Sequence, residues 1–506
     1  MTDTTIVREV ETGHVRGNAF PTHTVFYSIP YAAAPIGRAR FEHPRPHAPW
    51  TGIRDATTPG PTAPQLPRGV LGPLDVTAYF APGWVPGADY LTVNIWTPAQ
   101  VPPYAFRQAP VMVFVHGGAF IAGSSHSPLI DGRRFAEHGV IVVTVNYRLG
   151  LPGFLDLDDA PRNRGLADVL AALRWVRRNI ATFGGDPTNV TLAGHSAGAM
   201  LTAAAIAAPE AAGLFHRAIM QSGSGTGAFT PQQAAIVREA AAKALGILPT
   251  LNAFAALDDE ELLAAVPTLT GIDLATSAAR DPLQQITPLG LVLDEQPATT
   301  VACGDGQPVD LLIGHTTEEG NLYLLPTGAQ DATTLADLYQ AAAYAHPDPD
   351  TLLKIYTATH PGLSHGELRS IILGDAVFGA GTRAIADAHA DATPDRATHA
   401  YIFAWRSTAL GGRLGATHIV DVPFVFDTIS PRLKGDDRLL GPAPAPESLA
   451  RAMHRAWIDF VTTGSPGWQP YATTDRATMI FDEHPAVTRD PYAAQRPAWT
   501  TPPRTA

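Results

Sequence analysis

The sequence is almost free of cysteine, with Cys303 alone among 506 residues. One thiol cannot form an intrachain disulfide, so a disulfide framework and a cysteine-based metal site are both excluded. The histidine and acidic residues show no zinc or calcium spacing, and the glycines at 223–227 do not follow a dinucleotide-binding pattern. We therefore expect neither a metal nor a cofactor.

Positive charge is also scarce. The chain has 35 basic residues, only three of them lysines, against 47 acidic residues, which gives a formal net charge of −12. Binding to a phosphate backbone requires clustered positive charge on one face of a protein. A nucleic-acid partner is therefore not expected.

A long apolar membrane segment is missing as well. The uncharged stretch 187–209 contains proline and glycine and is rich in alanine rather than leucine, so it predicts a buried strand, a turn and a buried helix. The N-terminus has no basic segment followed by an apolar one, as a secretory signal would have. We expect no membrane span and a cytoplasmic location.

Short, nearly continuous runs of β-branched and other apolar residues recur at 111–115, 140–145, 190–193, 218–220, 309–313 and 401–404. Strands of this kind are buried on both faces, as in a parallel sheet covered by helices. Helical patterns lie between them at 166–180, 231–248, 258–265, 335–345 and 379–390. The sequence therefore predicts the α/β class, with a large, mostly parallel central sheet flanked by helices.

The helical patterns interrupt the strand series instead of forming a block of their own. We interpret residues of about 230–285 and 330–395 as insertions that form walls or a lid, and about 1–105, rich in proline, glycine and threonine, as an antiparallel lead-in. No long polar linker divides the chain. We therefore expect residues 1–506 to form one domain.

The most informative motif is Gly194-His195-Ser196-Ala197-Gly198, between a strand pattern and a helix pattern. A G-x-S-x-G turn holds its serine in a strained backbone at the tip of a strand, which requires small residues on both sides. Ser196 is therefore the candidate nucleophile; the alternative is a chance turn. A serine of this kind needs a histidine base and an orienting carboxylate, expected in the order serine, acid, histidine.

A second glycine motif follows the strand pattern at 111–115. His116-Gly117-Gly118 begins a turn whose amides can approach a substrate oxygen closely. We predict that Gly117, Gly118 and Ala197 donate to a developing oxyanion. The alternative is an ordinary tight turn after a strand.

These motifs carry a family resemblance that extends over residues of about 7–482. The chain resembles the type B carboxylesterases of the carboxylesterase and cholinesterase family, which have the α/β-hydrolase fold. The matching stretches are 29–32, 35–38, 40–41, 91–98, 116–120, 146–150, 179–187, 194–198 and 218–223.

The resemblance implies the other members of a catalytic triad. The family's acid is a glutamate directly before a glycine, which corresponds to Glu319, with Glu318 as the competitor; its histidine corresponds to His418. Ser222 resembles a family serine that supports the glutamate and the histidine, although an ordinary buried serine is the alternative. The triad stands in the order that the hydrolase fold requires.

The activity that the resemblance implies is hydrolysis of small to medium carboxylic esters through a Ser-His-Glu triad and an acyl-enzyme, by a monomer or weak homo-oligomer whose partner is the ester. The stretch 88–91 lacks the cysteine of secreted members, and Trp84 does not match the choline-stacking tryptophan, so cholinesterase-like selectivity is not expected. Two alternatives stay open. One is a non-catalytic cholinesterase-like binding protein, and the other is a hydrolase of carbamate, amide or polyester bonds.

Overall fold

The computed structural model describes residues 4–99 and 108–499. Its strands are β1 Thr4–Val10, β2 Gly13–Ala19, β3 His23–Pro30, β4 Ile53–Asp55, β5 Val70–Leu71, β6 Leu74–Asp75, β7 Thr92–Pro98, β8 Ala109–Val115, β9 Ile141–Val145, β10 Gly185–His195, β11 Arg217–Gln221, β12 Asp310–Thr316, β13 Thr398–Phe403, β14 Ala477–Phe481 and β15 Ala486–Arg489.

The α-helices are α1 Thr77–Phe80, α2 Arg133–Glu137, α3 Gly150–Phe154, α4 Arg164–Asn179, α5 Ala197–Ala207, α6 Pro231–Leu245, α7 Leu251–Ala256, α8 Asp259–Ala265, α9 Pro297–Ala302, α10 Asn321–Leu324, α11 Ala329–Ala332, α12 Leu335–Ala345, α13 Pro349–Thr359, α14 His365–Gly374, α15 Ala380–Ala392, α16 Val422–Val425, α17 Glu447–Thr463 and α18 Arg496–Trp499. A π-helical turn, Asp375–Gly379, joins α14 to α15.

One large sheet organises the described residues, with strand order β1-β2-β3-β7-β9-β8-β10-β11-β12-β13-β14-β15 and β4 beside β2. The seven strands from β9 to β14 in this order pair in parallel. The strands on either side of them, β1-β2-β3-β7 and β15, are antiparallel. The prediction of a large, mostly parallel sheet flanked by helices is confirmed.

The central strands separate two apolar cores because successive side chains point to opposite faces. On β8, Val111, Val113 and Val115 face one core, while Met112 and Phe114 face the other. The apolar stripe of α4 packs into the first core and α17 packs into the second. Both faces of these strands are therefore buried, which explains why their apolar runs are continuous.

The six predicted strands are present, as are the five helices predicted between them and the helix predicted within 187–209, which is α5; the bounds differ by a few residues. Among the longer helices, α13, α14 and α17 were not predicted, and neither were strands β14 and β15. The single-domain organisation stays a prediction, and its N-terminal limit, the end of its lead-in near residue 105 and its C-terminal limit lie outside the described residues.

Candidate active site

Ser196 lies at the junction between β10 and α5, at the carboxyl end of a central parallel strand. Its backbone has φ 56° and ψ −124°, a strained conformation for a residue with a side chain. The flanking glycines make this turn possible. A Cβ on Gly194 would lie 2.2 Å from the carbonyl oxygen of Gly198, and one on Gly198 would lie 2.0 Å from that of Val115. The motif therefore has the tight geometry that the sequence predicted.

Three distant segments meet at this turn. The Ser196 hydroxyl donates to His418 Nε2 at 2.8 Å, and His418 Nδ1 donates to Glu319 Oε2 at 2.5 Å. Glu319 follows β12, and His418 lies in the loop after β13. All three side chains are buried, with Ser196 the most accessible at 7% exposure. The structure thus brings the three predicted triad residues into one hydrogen-bonded chain.

The neighbouring carboxylate of Glu318 points elsewhere. It pairs with Arg406 and accepts the amide of Ala416 at 2.8 Å, close to the start of the histidine loop. Glu319 instead receives His418 and, at Oε1, the amide of Thr316 at 2.8 Å. Glu318 therefore anchors the loop that carries the histidine, and Glu319 contacts the histidine itself.

The charge of Glu319 is stabilised locally. Burial alone would raise the pKa of this carboxyl, but the charge and hydrogen bond of His418 together hold it below its usual value. Ser222, the predicted supporting serine, is fully buried and also lowers the pKa of Glu319. Among the described residues, however, the Ser222 hydroxyl makes no hydrogen bond of good geometry. Its effect on Glu319 is therefore weaker than that of His418.

The amides near Ser196 divide into two groups. The amide of Gly117 lies near the phenol oxygen of Tyr79 and lowers the pKa of that phenol against the larger, opposite effect of burial, although it makes no hydrogen bond of good geometry to that oxygen. Within the described chain, the amides of Gly118, Ala119 and Ala197 donate to no protein acceptor. Gly118 and Ala119 have φ of 122° and 56°, and such backbone strain is common at functional sites. Ala119 is therefore a candidate donor that the sequence did not indicate, while the amide of the predicted donor Gly117 lies towards the Tyr79 phenol.

A second polar chain runs behind the triad. The Tyr79 hydroxyl donates to His195 Nδ1 at 2.7 Å, and His195 Nε2 lies 3.8 Å from Asp421 Oδ1. Gln221 donates to the other oxygen of Asp421 at 3.4 Å. The His195 ring lies 4.9 Å from that of His418, so this residue is directed away from the Ser196 hydroxyl but remains next to the triad.

Charge is disfavoured in this second chain. Burial and the charge of His418 lower the pKa of His195 well below its usual value. Burial, together with the charge of Glu319, raises the pKa of Asp421 to about 7 despite the hydrogen bond from Gln221. Asp421 is therefore a buried carboxyl that changes its charge near neutral pH.

Two aromatic residues cover the histidine, one from the second insertion and one from α10, which precedes that insertion. Phe378, on the π-helical turn, stacks on His418 with ring centroids 4.4 Å apart, and Tyr323 lies 5.9 Å from the same ring. π-Helical turns are rare and often occur at functional sites. Here the turn directs an aromatic ring towards the imidazole, which restricts how the imidazole can move.

The other histidines that the sequence offered have different partners. His116 donates to the carbonyl of Gly117 at 2.8 Å and stacks on Tyr147, and His315 donates to the carbonyl of Thr316. In residues 4–99 and 108–499 there is no group of three or more histidine, cysteine or acidic residues able to hold a metal. Over the same ranges, no helix has the length and apolar character needed to cross a membrane.

Comparisons with known proteins identify the family of this chain. Residues 4–499 match the model of the carboxylesterase family. The para-nitrobenzyl esterase of Bacillus subtilis is 34% identical over 503 residues, which cover 96% of each chain. The phenmedipham hydrolase of Pseudarthrobacter oxydans is 33% identical over 490 residues, covering 92% of this chain and 93% of that protein.

The fold is shared with solved structures as well. The Geobacillus stearothermophilus carboxylesterase EST55 superposes with a TM-score of 0.83 at 32% identity, over 97% of this chain and 99% of that one. A structure described as a thermophilic PNB esterase gives the same TM-score and identity. The chain has the α/β-hydrolase fold and belongs to the carboxylesterase family.

Proposed function

We propose that this protein is a serine carboxylesterase that hydrolyses small to medium carboxylic esters. The observation that carries the proposal is the hydrogen-bonded chain from Ser196 through His418 to Glu319, beside three backbone amides without a protein acceptor. A nucleophile, a base, an orienting acid and donors for an oxyanion are the parts that acyl transfer from an ester requires.

In the first half of the reaction, Ser196 Oγ attacks the ester carbonyl while His418 Nε2 takes the hydroxyl proton. Negative charge develops on the carbonyl oxygen, and the amides of Gly118, Ala119 and Ala197 donate to it. His418 then gives its proton to the departing alcohol as the carbon–oxygen bond breaks. The acyl group remains on Ser196.

In the second half, water replaces the alcohol. The water oxygen attacks the acyl carbonyl while His418 takes a proton from the water. His418 then gives this proton to Ser196 Oγ as the carboxylic acid leaves. Glu319 accepts from His418 Nδ1 throughout, which fixes the tautomer and stabilises the imidazolium form. Phe378 limits ring rotation between the two halves.

The complete triad argues against a binding protein without activity. Such a protein has no need to hold a serine in a strained turn at φ 56° with its hydroxyl 2.8 Å from a buried histidine. We further propose that residues 1–506 form a single catalytic domain.

The proposal is tested with the purified protein and a short-chain p-nitrophenyl ester. We expect steady-state hydrolysis with a burst of p-nitrophenol equal to the enzyme concentration if deacylation is slower than acylation. Ser196→Ala should abolish both, whereas Ser224→Ala, at a buried serine outside the triad, should retain activity. Hydrolysis that survives Ser196→Ala would refute the assignment.

A further inference from the structure

Arg68 occupies an unusual place for a cation. It directly precedes the short β5–β6 hairpin and α1, a segment that also contributes Tyr79 to the site. Its guanidinium carbon lies 5.6 Å from the ring centroid of Phe80, and its Nη1 atom is buried. The side chain is thus directed inward, towards the aromatic residues of α1.

Arg68 also has no anionic partner. Among residues 4–99 and 108–499 it makes no ion pair and no hydrogen bond, and its Nη1 is buried and unsatisfied although the residue as a whole is partly exposed. The two fully buried arginines are satisfied: Arg148 pairs with Asp168, and Arg164 donates to main-chain carbonyls. Burial of a charged donor without an acceptor is costly, so the buried Nη1 of this partly exposed cation is placed to bind an anion from outside the chain.

Phe80 connects Arg68 to the residues that border the triad, because the Phe80 ring lies 5.0 Å from that of Tyr79. Burial lowers the pKa of Arg68, and the charges of the Tyr323 and Tyr79 phenols act in the opposite direction. Tyr323 lies 5.9 Å from the His418 ring, and the Tyr79 hydroxyl is bonded to His195, next to the nucleophile. Arg68 therefore carries a positive charge on the side of the site that Tyr79 and Tyr323 line.

We propose that Arg68 binds a carboxylate group on the substrate, so that this enzyme prefers esters that carry one negative charge away from the reacting bond. This inference rests on the proposed esterase function. A guanidinium presents a planar fork of donors that matches both oxygens of a carboxylate. Overall charge cannot produce such a preference, because the net charge of −12 repels anions. Half-esters of dicarboxylic acids and esters of carboxylated alcohols are the substrates of this class.

Two matched pairs of esters test the preference on either side of the bond. On the acyl side, mono-p-nitrophenyl glutarate is compared with p-nitrophenyl pentanoate; on the alcohol side, 4-carboxyphenyl butyrate is compared with phenyl butyrate. We expect the ratio of kcat/KM for the charged to the uncharged ester to fall roughly tenfold or more in Arg68→Gln, in at least one pair, mainly through KM. Arg68→Lys should retain part of the preference, since it keeps the charge without the fork.

Arg45→Gln is the control, because it removes the same charge from an exposed side chain that lies 68% accessible beside Glu42. It should leave the ratio of both pairs unchanged. The preference of the wild type should also weaken as salt is added. Equal ratios in wild type and Arg68→Gln for both pairs would overturn the carboxylate site while leaving the esterase intact. If the wild type hydrolyses none of the four esters, the proposed function fails and the carboxylate site fails with it.

Discussion

Glu318 and Glu319 are adjacent in sequence, but their carboxylates contact different partners. Glu319 accepts from His418 Nδ1, whereas Glu318 pairs with Arg406 and accepts the amide of Ala416. Adjacent side chains on a loop point in different directions, so only one of them can orient the imidazole. The structure makes the two residues separable by experiment.

We expect Glu319→Gln to lower kcat roughly a hundredfold or more, because an amide cannot stabilise the imidazolium and favours the wrong tautomer. Glu318→Gln should change kcat little, since its amide oxygen can still accept from Ala416. Steady-state kinetics on one p-nitrophenyl ester compares the two. Equal losses would leave the acid of the triad unassigned.

Asp421 predicts a pH dependence of stability. Burial raises the pKa of this carboxyl to about 7 from an ordinary value of 3.8. Because folding raises the pKa, the folded protein favours the protonated acid. Its contribution to stability is complete below about pH 4 and is lost as the pH rises through 7, by an amount on the order of a few kcal/mol.

Asp421→Asn should therefore reduce the loss of stability between pH 5 and pH 8. Thermal unfolding of both proteins over this range measures the effect, and the Tm of the variant relative to wild type should be higher at pH 8 than at pH 5. Asp427→Asn is a suitable comparison, because that carboxylate lies at the surface beside Arg134. Parallel curves for wild type and Asp421→Asn would show that the carboxyl does not titrate in this range.

At the scale of elements, one buried ion pair ties the π-helical turn to the next helix. Asp375 begins the turn, Arg383 lies on α15, and their side chains meet at 2.8 Å with about a tenth of each exposed. The Tyr356 hydroxyl also donates to Asp375, and Trp499 donates to that hydroxyl at 2.8 Å. Helix α13 and the C-terminal α18 therefore converge on the turn that carries Phe378.

Asp375→Asn should destabilise the protein by about 3 kcal/mol, since it leaves the Arg383 guanidinium buried without a counter-charge. The double variant Asp375→Leu/Arg383→Met should cost less than the single change, because it removes both charges together. Urea unfolding of the single and double variants completes the comparison. If the double variant is the less stable of the two, the pair contributes net stability beyond the cost of burying its charges.

The elements that the sequence predicted well are those with one dominant signal. Strands such as β8 are continuous apolar runs, and the helix α4 has an apolar stripe at helical spacing. Helix α13 was missed because only Leu352 and Tyr356 are buried along it, so its apolar face is short. Strand β15 was missed because all of its residues are exposed, and its pairing with β14 is what defines it.

The site is assembled from distant parts of the whole chain, and this determines which of its residues could be predicted from the sequence. Ser196 has a local motif, and Glu319 and His418 were found only through the family resemblance. Ala119 was missed because a free amide is a property of the folded chain. The chain of Tyr79, His195 and Asp421 was missed because its members come from three distant segments, and only His195 lies in a motif, where the adjacent Ser196 was the residue with a recognised role.

The two apolar cores share strands, and this affects how the whole chain unfolds. The first core contains residues from the antiparallel strands, the parallel sheet and the first insertion, such as Val10, Val113 and Val237. The second core shares β8 with the first through alternate side chains. A smaller cluster on α12 to α14 lies apart from both, but Asp375 ties it to α15. Loss of one core therefore removes the support of the other.

We therefore expect the single proposed domain to unfold in urea as one cooperative unit, although chains of this length often form intermediates. Far-ultraviolet circular dichroism, tryptophan fluorescence and residual esterase activity should give one common midpoint. Asp375→Asn should move all three midpoints together, because the lid cluster is joined to the sheet through α15. Activity that is lost well before the other signals would instead identify α12 to α14 as a separately unfolding lid, and a second transition in the fluorescence would divide the domain itself.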